Sequence, residues 1–282
     1  MADLEKFITL IQQRNYVRAI NELEEFTKKN TTNTKALDLL ALAYQYNNNF
    51  SKSLEIYRKL LKININFQTY DRMGEVCIKN NNLKLAKKYF NMSLSINKDN
   101  PITQNNLGLV LAHLEHEQES IKYFENAMEL DSGYREPIYN LLEIYEKTNM
   151  LKKLKELVLF SIKKFESDQI IKFYHALILE KQNQLNKASS ILKSINFKEN
   201  ESDWDIKKTY QLGKINDALK NYSKAFNYFN EANKKSLNLV GENLLLGNAY
   251  MKKVDQYLKQ SYRNFSPKIK NQTTANINFK HF

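Results

Sequence analysis

Glycine, proline and cysteine are all scarce in this chain. Its 282 residues include only 6 Gly and 3 Pro, against average shares of about 7% and 5%. So few turn residues cannot supply the many tight turns of a β-sandwich or barrel, which favours an all-α fold. The single cysteine, Cys77, excludes an intramolecular disulfide framework and a zinc site built on several cysteines.

Long apolar runs are also missing. No stretch approaches the roughly 18 apolar residues that cross a bilayer, and the start of the chain carries early acidic residues, Asp3 and Glu5, rather than a secretory signal. Hydrophobic residues nevertheless make up 42% of the chain, which is enough for a folded core. We therefore expect a folded cytoplasmic protein with no membrane partner.

The charge is one-sided, with 43 Lys and Arg against 31 Asp and Glu, a net +12. The chain also contains 36 Asn. A joint excess of Lys, Asn and Ile is typical of AT-rich genomes, so we attribute most of the charge to codon usage rather than to selection for a polyanion. The excess is uneven, because residues 203–282 hold 14 Lys and Arg against 6 Asp and Glu.

Two columns of residues repeat along the chain. In the first, a small residue is followed four positions later by a bulky one, as in Ala86/Phe90, and the first members are 34, 33, 34, 34, 34 and 37 residues apart. Its pairs are Ala19/Leu23, Ser53/Tyr57, Ala86/Phe90, Ser120/Phe124, Leu154/Val158, Ala188/Leu192 and Ala225/Phe229. The second column, about twelve residues upstream, reads Ala41, Gly74, Gly108, Leu142, Ala176 and Gly213.

Each repeat carries two runs with apolar residues at intervals of three and four, which predicts two amphipathic helices. The small residues allow the helices to approach closely, and the bulky residues fill the space beside them. Between the two helices, Asn48, Asn81, Asn149 and Asn183 occupy the same turn position. Asparagine is the usual second choice after glycine for a left-handed residue at a helix end, so we interpret these positions as helix stops.

These features resemble the tetratricopeptide repeat (TPR) family. The best matching unit is residues 101–134, where Leu107-Gly108, Leu111, Ser120, Phe124 and Ala127 stand where that family places Leu-Gly, Tyr, Ala, a large aromatic residue and Ala. The resemblance implies a right-handed α-solenoid of about seven helix hairpins over residues 1–239. The units lie near residues 1–33, 34–66, 67–100, 101–134, 135–168, 169–202 and 206–239.

The last 43 residues divide in two. Residues 240–264 hold an apolar stripe, with a partial eighth unit at 246–250, and are expected to form a capping helix. Residues 265–282 have no helical period and are expected to be a linker or disordered tail. The last units, including residues 222–232, also resemble the TPR section of bacterial TPR–sulfotransferase fusion proteins, although the sequence ends before any sulfate-donor loop.

No catalytic or metal-binding pattern stands out. His113 and His116 have a spacing that could serve a metal, but they fall at a predicted helix end where solvated residues are expected. His175 and Cys77 occupy apolar slots and are interpreted as core-edge and core residues. The six glycines are scattered singly, so no phosphate loop exists. We therefore expect no enzyme activity, no cofactor and no metal.

The resemblance implies a binding groove lined by the first helix of each hairpin. There an Asn at the position of Asn106 or Asn140 can both donate to and accept from the backbone of an extended peptide. The aromatic residues next to these positions would form a strip suited to side-chain pockets. The complete predicted groove is Asn106, Asn140, Tyr139, Phe173, Tyr174, Tyr210, Arg72, Glu143 and Lys214.

Three functions remain open at this point. The first is a non-catalytic scaffold that binds a peptide or protein partner in the groove. The second is the N-terminal part of a larger TPR–sulfotransferase protein. The third is an RNA-binding helical repeat, which Asp38, Asp71, Glu75 and Glu143 oppose by their charge. Asp38 and Asp71 also stand where chaperone-binding TPR domains clamp a C-terminal carboxylate, and would repel that ligand. The oligomeric state is left open.

Overall fold

The computed structural model describes residues 2–198 and 202–240. Within these ranges every regular element is an α-helix, which confirms the predicted fold class. Fourteen helices follow one another as seven antiparallel hairpins: α1 (Ala2–Gln12), α2 (Tyr16–Lys29), α3 (Thr34–Tyr46), α4 (Phe50–Ile63), α5 (Phe67–Lys79), α6 (Leu83–Ile96), α7 (Pro101–His113), α8 (Glu117–Leu130), α9 (Glu136–Lys147), α10 (Leu151–Lys164), α11 (Gln169–Lys181), α12 (Leu185–Ser194), α13 (Ser202–Ala218) and α14 (Tyr222–Val240).

The chain divides into two compact bodies within α11. In the N-terminal body, residues 1–175, each helix from α1 to α9 packs against the next one along the chain, and first helices also touch, as α7 does with α9. In the C-terminal body, which begins at residue 176, α13 packs against both α12 and α14. The apolar stripe of each hairpin is thus covered by its neighbours in sequence, as expected of a repeat protein.

The repeating small residues lie in the core, as predicted. The first member of every pair in the first column, from Ala19 to Ala225, is buried, and so are Ala41, Leu142 and Ala176 of the second column. Ser53 also donates its hydroxyl to the carbonyl oxygen of Ala41 at 2.8 Å, which joins the two columns within one hairpin. The small residues therefore bring the helices of a hairpin together.

Three glycines of the second column leave room for an aromatic ring. A methyl group added at Gly74, Gly108 or Gly213 would lie 2.5–2.6 Å from a ring carbon of Phe90, Phe124 or Phe229, respectively. That separation is far below a van der Waals contact. Each phenylalanine stands 16 residues after its glycine, so the first helix accommodates the ring that the second helix contributes.

The inter-helix turns confirm the predicted helix stops. Asn48, Asn81, Asn149 and Asn183 all have φ between 54° and 60°, in the left-handed region. The equivalent positions of the other three hairpins have the same conformation without asparagine: Arg14, Glu115 and Lys220. The turn geometry is therefore common to all seven hairpins, and in three of them a side chain with no special preference for it is accepted.

Asparagine also begins many helices of the N-terminal body. The side chains of Asn33, Asn49, Asn66, Asn82 and Asn100 each accept a hydrogen bond from a backbone N–H in the first turn of α3 to α7. Such caps satisfy donors that have no partner within the helix. Part of the asparagine excess thus has a structural role, in addition to any effect of codon usage.

The last hairpin differs from the predicted unit at its start. Helix α13 begins at Ser202, four residues before the predicted boundary at residue 206, because Asp203 and Asp205 favour a helix N-terminus. Residues 241–264 of the expected capping segment, with its partial eighth unit, and the expected tail at 265–282 lie outside the described residues. Among the helices that the structure describes, none is both long and apolar enough to cross a membrane.

Candidate interaction surface

The first helices of the N-terminal body are joined by polar side chains at one repeating position. Asp71 of α5 accepts a hydrogen bond from the hydroxyl of Thr103 at 2.7 Å and another from Nδ2 of Asn100 at 3.2 Å. Asn100 is also the N-cap of α7. The carboxylate of Asp71 thus binds both the N-cap and the first turn of α7, which is the first helix of the next hairpin. Burial raises the pKa of Asp71, and the bond from Thr103 opposes that effect.

The residue at the same repeat position in the next hairpin also joins two first helices by a hydrogen bond. Asn105 of α7 is buried, and its side-chain oxygen accepts a hydrogen bond from Nδ2 of Asn140 on α9 at 2.8 Å. Asn140, predicted to grip a peptide, therefore already uses part of its amide to hold two first helices together. Its half-buried side chain has a structural role whether or not it also meets a ligand.

A third group of hydrogen bonds connects α9 with the start of α11. The hydroxyl of Tyr139 donates to the buried carboxylate of Asp168, which Arg135 also approaches, with Nη1 at 3.4 Å from Oδ2. Asp168 caps α11 at the backbone N–H groups of Ile170 and Ile171. Burial and the neighbouring carboxylate raise the pKa of Tyr139. Tyr139 is thus hydrogen-bonded within the repeat. The sequence placed this residue in the groove and did not predict that bond.

Asn106 differs from these residues. It is half-buried on α7, and no residue in the described ranges hydrogen-bonds to its side chain. Ile102, one turn before it on the same helix face, is 54% exposed, and Leu109, one turn after it, is half-buried. We call these three residues the Asn106 face. It offers one amide donor and acceptor between two apolar side chains.

The predicted aromatic strip is not an exposed surface throughout. Phe173 and Tyr174 of α11 are only 5% and 1% exposed, because their rings pack edge to face in the core. They offer almost no area to a ligand. Tyr210 of α13 is 52% exposed and packs against Phe229, with ring centroids 5.2 Å apart. Only Tyr139 and Tyr210 of the four aromatic residues thus retain accessible surface.

The three charged residues predicted for the groove are all exposed. Arg72 of α5 forms an ion pair with Glu75, its Nη1 atom lying 3.3 Å from Oε2. Glu143 of α9 and Lys214 of α13 are exposed to solvent. Arg72 and Glu143 lie in the N-terminal body, whereas Lys214 lies in the C-terminal body. Their part in binding stays a prediction.

A cleft of about 620 Å³ opens between the first turns of α3 and α5. We call it the α3–α5 cleft. Its charged lining residues are Lys35 and Asp38 from α3 and Arg72 from α5. Amide side chains of Asn64, Asn66 and Gln68, the hydroxyls of Thr34 and Thr69, and Leu60 complete the lining. Its volume is within the range of ligand pockets, and the repeat pattern did not predict it.

The remaining candidate residues fit structural roles. His116 begins α8 and its Nδ1 atom lies 3.3 Å from Oε1 of Glu119. Cys77 is buried, as predicted, and burial raises the pKa of its thiol to about 11, so the reactive thiolate is rare at neutral pH. Burial lowers the pKa of His175, which favours the neutral imidazole. Within the described residues, no group of three His, Cys, Asp or Glu side chains could hold a metal ion.

Comparison with protein families identifies repeats in the N-terminal body. The family model for the tetratricopeptide repeat matches residues 34–64, 67–100 and 103–134. These three segments coincide with hairpins α3–α4, α5–α6 and α7–α8, so the match to the tetratricopeptide repeat covers three consecutive hairpins. No curated protein matches the chain.

Solved structures show the same fold at low sequence identity. A tetratricopeptide repeat protein from Parabacteroides merdae is 14% identical with a TM-score of 0.61, over 84% of this chain and 93% of that one. PilF of Pseudomonas aeruginosa is 15% identical with a TM-score of 0.57, over 68% and 87%. MamA of Desulfovibrio magneticus is 17% identical with a TM-score of 0.50, over 60% and 94%. At such identities the likeness establishes the fold alone.

Proposed function

We propose that this chain, in which residues 34–64, 67–100 and 103–134 match the tetratricopeptide repeat model, is a non-catalytic scaffold that binds a peptide or protein partner on the Asn106 face. Proteins built from this repeat generally mediate protein interactions, which supports the general class. The observation that carries the specific proposal is the half-buried amide of Asn106, which has no hydrogen-bond partner in the described part of the chain.

A half-buried amide with no partner in the described part of the protein is suited to a peptide backbone. Water can reach the Asn106 amide in the free chain, and a peptide backbone would take the place of that water. An asparagine side chain offers two N–H donors and one carbonyl acceptor, which match the alternating C=O and N–H groups of an extended chain. Ile102 and Leu109 on either side would cover the partner's apolar side chains. The neighbouring Asn105 and Asn140 are engaged with one another and keep the surface in place.

The charge of the first helices favours protein over RNA as the partner. Asp38, Asp71, Glu75 and Glu143 all lie on first helices of the N-terminal body, and a nucleic acid backbone would be repelled by such a surface. We therefore keep RNA as the outcome that a test must exclude. The resemblance of residues 222–232 to TPR–sulfotransferase fusions and the cytoplasmic location stay predictions.

Site-specific photo-cross-linking tests the proposal. A photoreactive amino acid at Ile102 should capture a discrete partner in cells, whereas the same group at Ile96, which is similarly exposed at 47% but lies on the second helix α6, should not. Ribonuclease treatment should leave the adduct intact. Equal capture at both positions, or an adduct that ribonuclease removes, would contradict a peptide-binding Asn106 face.

A further inference from the structure

Asp38 is a half-buried carboxylate that the repeat does not use. It lies in the α3–α5 cleft, and no residue in the described ranges donates a hydrogen bond to it or forms an ion pair with it. Its equivalent one repeat later, Asp71, is held by Thr103 and Asn100. Two carboxylates at the same repeat position thus have opposite surroundings, one paired within the protein and the other open to the cleft.

The charged groups around Asp38 do not neutralise it. Arg72 is near enough to act on its carboxylate electrostatically, but the guanidinium contacts Glu75. Lys35 is exposed and therefore well hydrated. Glu75 of α5 also acts on Asp38 electrostatically, as a like charge. The remaining titratable group that acts on it is the fully buried Tyr57 of α4, whose hydroxyl has no hydrogen-bond partner in the described part of the chain. Burial and the Glu75 carboxylate raise the pKa of Asp38, and Arg72 opposes them.

The rest of the cleft adds one free amide. The amide of Asn66 is occupied, since its oxygen caps α5 at the N–H of Thr69 and its nitrogen donates to the carbonyl of Asn64. Gln68 is exposed and lines the same cleft, where its amide offers one oxygen acceptor and an NH₂ donor. An anionic carboxylate with one amide oxygen in the same cleft matches a group that carries several donors and a positive charge, such as a guanidinium with its five N–H donors.

We infer that the α3–α5 cleft binds a basic side chain of the partner, with arginine preferred, and that Asp38 is the residue that selects it. A volume of about 620 Å³ exceeds one side chain, so the cleft also takes the residues that flank the arginine. The inference rests on the proposed scaffold function and names the chemistry of its partner: a peptide segment that carries arginine or lysine.

Carboxyl-carbon NMR of the full-length chain, labelled at aspartate, tests the inference with N-acetyl-arginine amide as the probe. The Asp38 signal should shift and saturate with a Kd on the order of 1–10 mM, at least about tenfold tighter than with the neutral N-acetyl-glutamine amide. N-acetyl-glutamate amide should produce no saturable shift at Asp38. The Asp71 signal should stay in place throughout. A missing shift at Asp38, or equal responses to the arginine and glutamine probes, would overturn the inference.

Two matched substitutions separate binding from folding. Asp38→Asn should abolish saturable arginine binding without lowering Tm, because the carboxylate makes no hydrogen bond within the described chain. Asp71→Asn should lower Tm and leave arginine binding within about twofold of the unsubstituted chain, because Asp71 holds α7. Wild-type affinity in Asp38→Asn would refute the role of Asp38.

The outcomes also distinguish this inference from the scaffold proposal. An arginine response at Asp38 together with a silent cross-linker at Ile102 would refute the Asn106 face and leave the cationic subsite standing. Specific capture at Ile102 together with no arginine response would refute the subsite alone.

Discussion

Two adjacent hairpins have the same fold but carry the larger side chain of an equivalent residue pair on opposite helices. In α7–α8, Gly108 on the first helix accommodates the ring of Phe124 on the second. In α9–α10 the equivalent residues are Leu142 and Val158, both fully buried. The large side chain has moved from the second helix to the first. The small residue of the first column is also replaced in this hairpin, by Leu154, which is buried as well.

We interpret the two pairs as sharing the space between the helices, so that neither position has to keep its own size. Cores are close-packed, so a side chain that gains carbons at one position needs a partner that loses them. The family pattern of a small residue on the first helix describes one solution, and hairpin α9–α10 uses another. The departures of Leu142 and Leu154 from that pattern are therefore compatible with a packed core.

Alanine at both first-helix positions should destabilise the chain for opposite reasons. Leu142→Ala removes buried carbons and should lower the free energy of unfolding by about 2–5 kcal/mol. Gly108→Ala should lower it by about 1–2 kcal/mol, although alanine is the better helix former by about 1 kcal/mol, because the new methyl group would meet Phe124. Urea unfolding followed by circular dichroism measures both changes.

Second substitutions across each hairpin provide the control. In the Leu142→Ala variant, adding Val158→Phe should recover part of the lost free energy of unfolding. Phe124→Leu should lower the free energy of unfolding less in the Gly108→Ala variant than in the unsubstituted chain. Double-mutant cycles give the coupling energy. Additive changes in both hairpins would show that the paired positions do not share one volume.

Helix caps should produce the next largest effect. Asn82 caps α6 through its side chain, whereas His116 and Met150 begin α8 and α10 without such a bond. Asn82→Ala should cost about 1 kcal/mol, and His116→Asn should gain up to about 1 kcal/mol, because the backbone of His116 is already close to that of Asn82. Thermal unfolding distinguishes the signs. A stabilised Asn82→Ala variant would contradict the capping role.

The smallest expected effect concerns the turns of the two compared hairpins. Asn149 in α9–α10 and Glu115 in α7–α8 have φ of 56° and 63°. Asparagine tolerates this region better than glutamate does, so Glu115→Asn should stabilise the chain by about 0.5 kcal/mol, and Asn149→Glu should destabilise it by a similar amount. Equal and opposite shifts of Tm would confirm that the two turns are equivalent, and a destabilised Glu115→Asn would contradict it.

The sequence was sufficient for the fold because local and repeating signals coincide. The spacing of small residues from Ala19 to Ala225 predicted the hairpins, and Asn48, Asn81, Asn149 and Asn183 marked the turns correctly. The sequence could not predict the role of an individual repeat position, because that role depends on the side chain that faces it from the neighbouring helix. Asn105 and Asn106 are neighbours of the same type, yet one ties two helices together and the other has no described partner.

The same limit applies to the predicted site. Phe173 and Tyr174 were placed in the groove by their repeat position, but their rings turn into the core, where burial of aromatic area is favourable. The α3–α5 cleft depends on how far apart two first helices lie at their N-terminal turns, and no residue pattern encodes that distance. Asp38 therefore could not be distinguished from Asp71 before the structure was known.

The most direct test of the scaffold proposal compares Asn106→Ala with Asn140→Ala. Affinity for the partner captured at Ile102 and the Tm of the free chain are measured for both variants. Asn106→Ala should weaken binding at least about tenfold with Tm unchanged, whereas Asn140→Ala should lower the free energy of unfolding by about 1 kcal/mol through the lost bond to Asn105. Unchanged affinity in Asn106→Ala would contradict the proposed binding face.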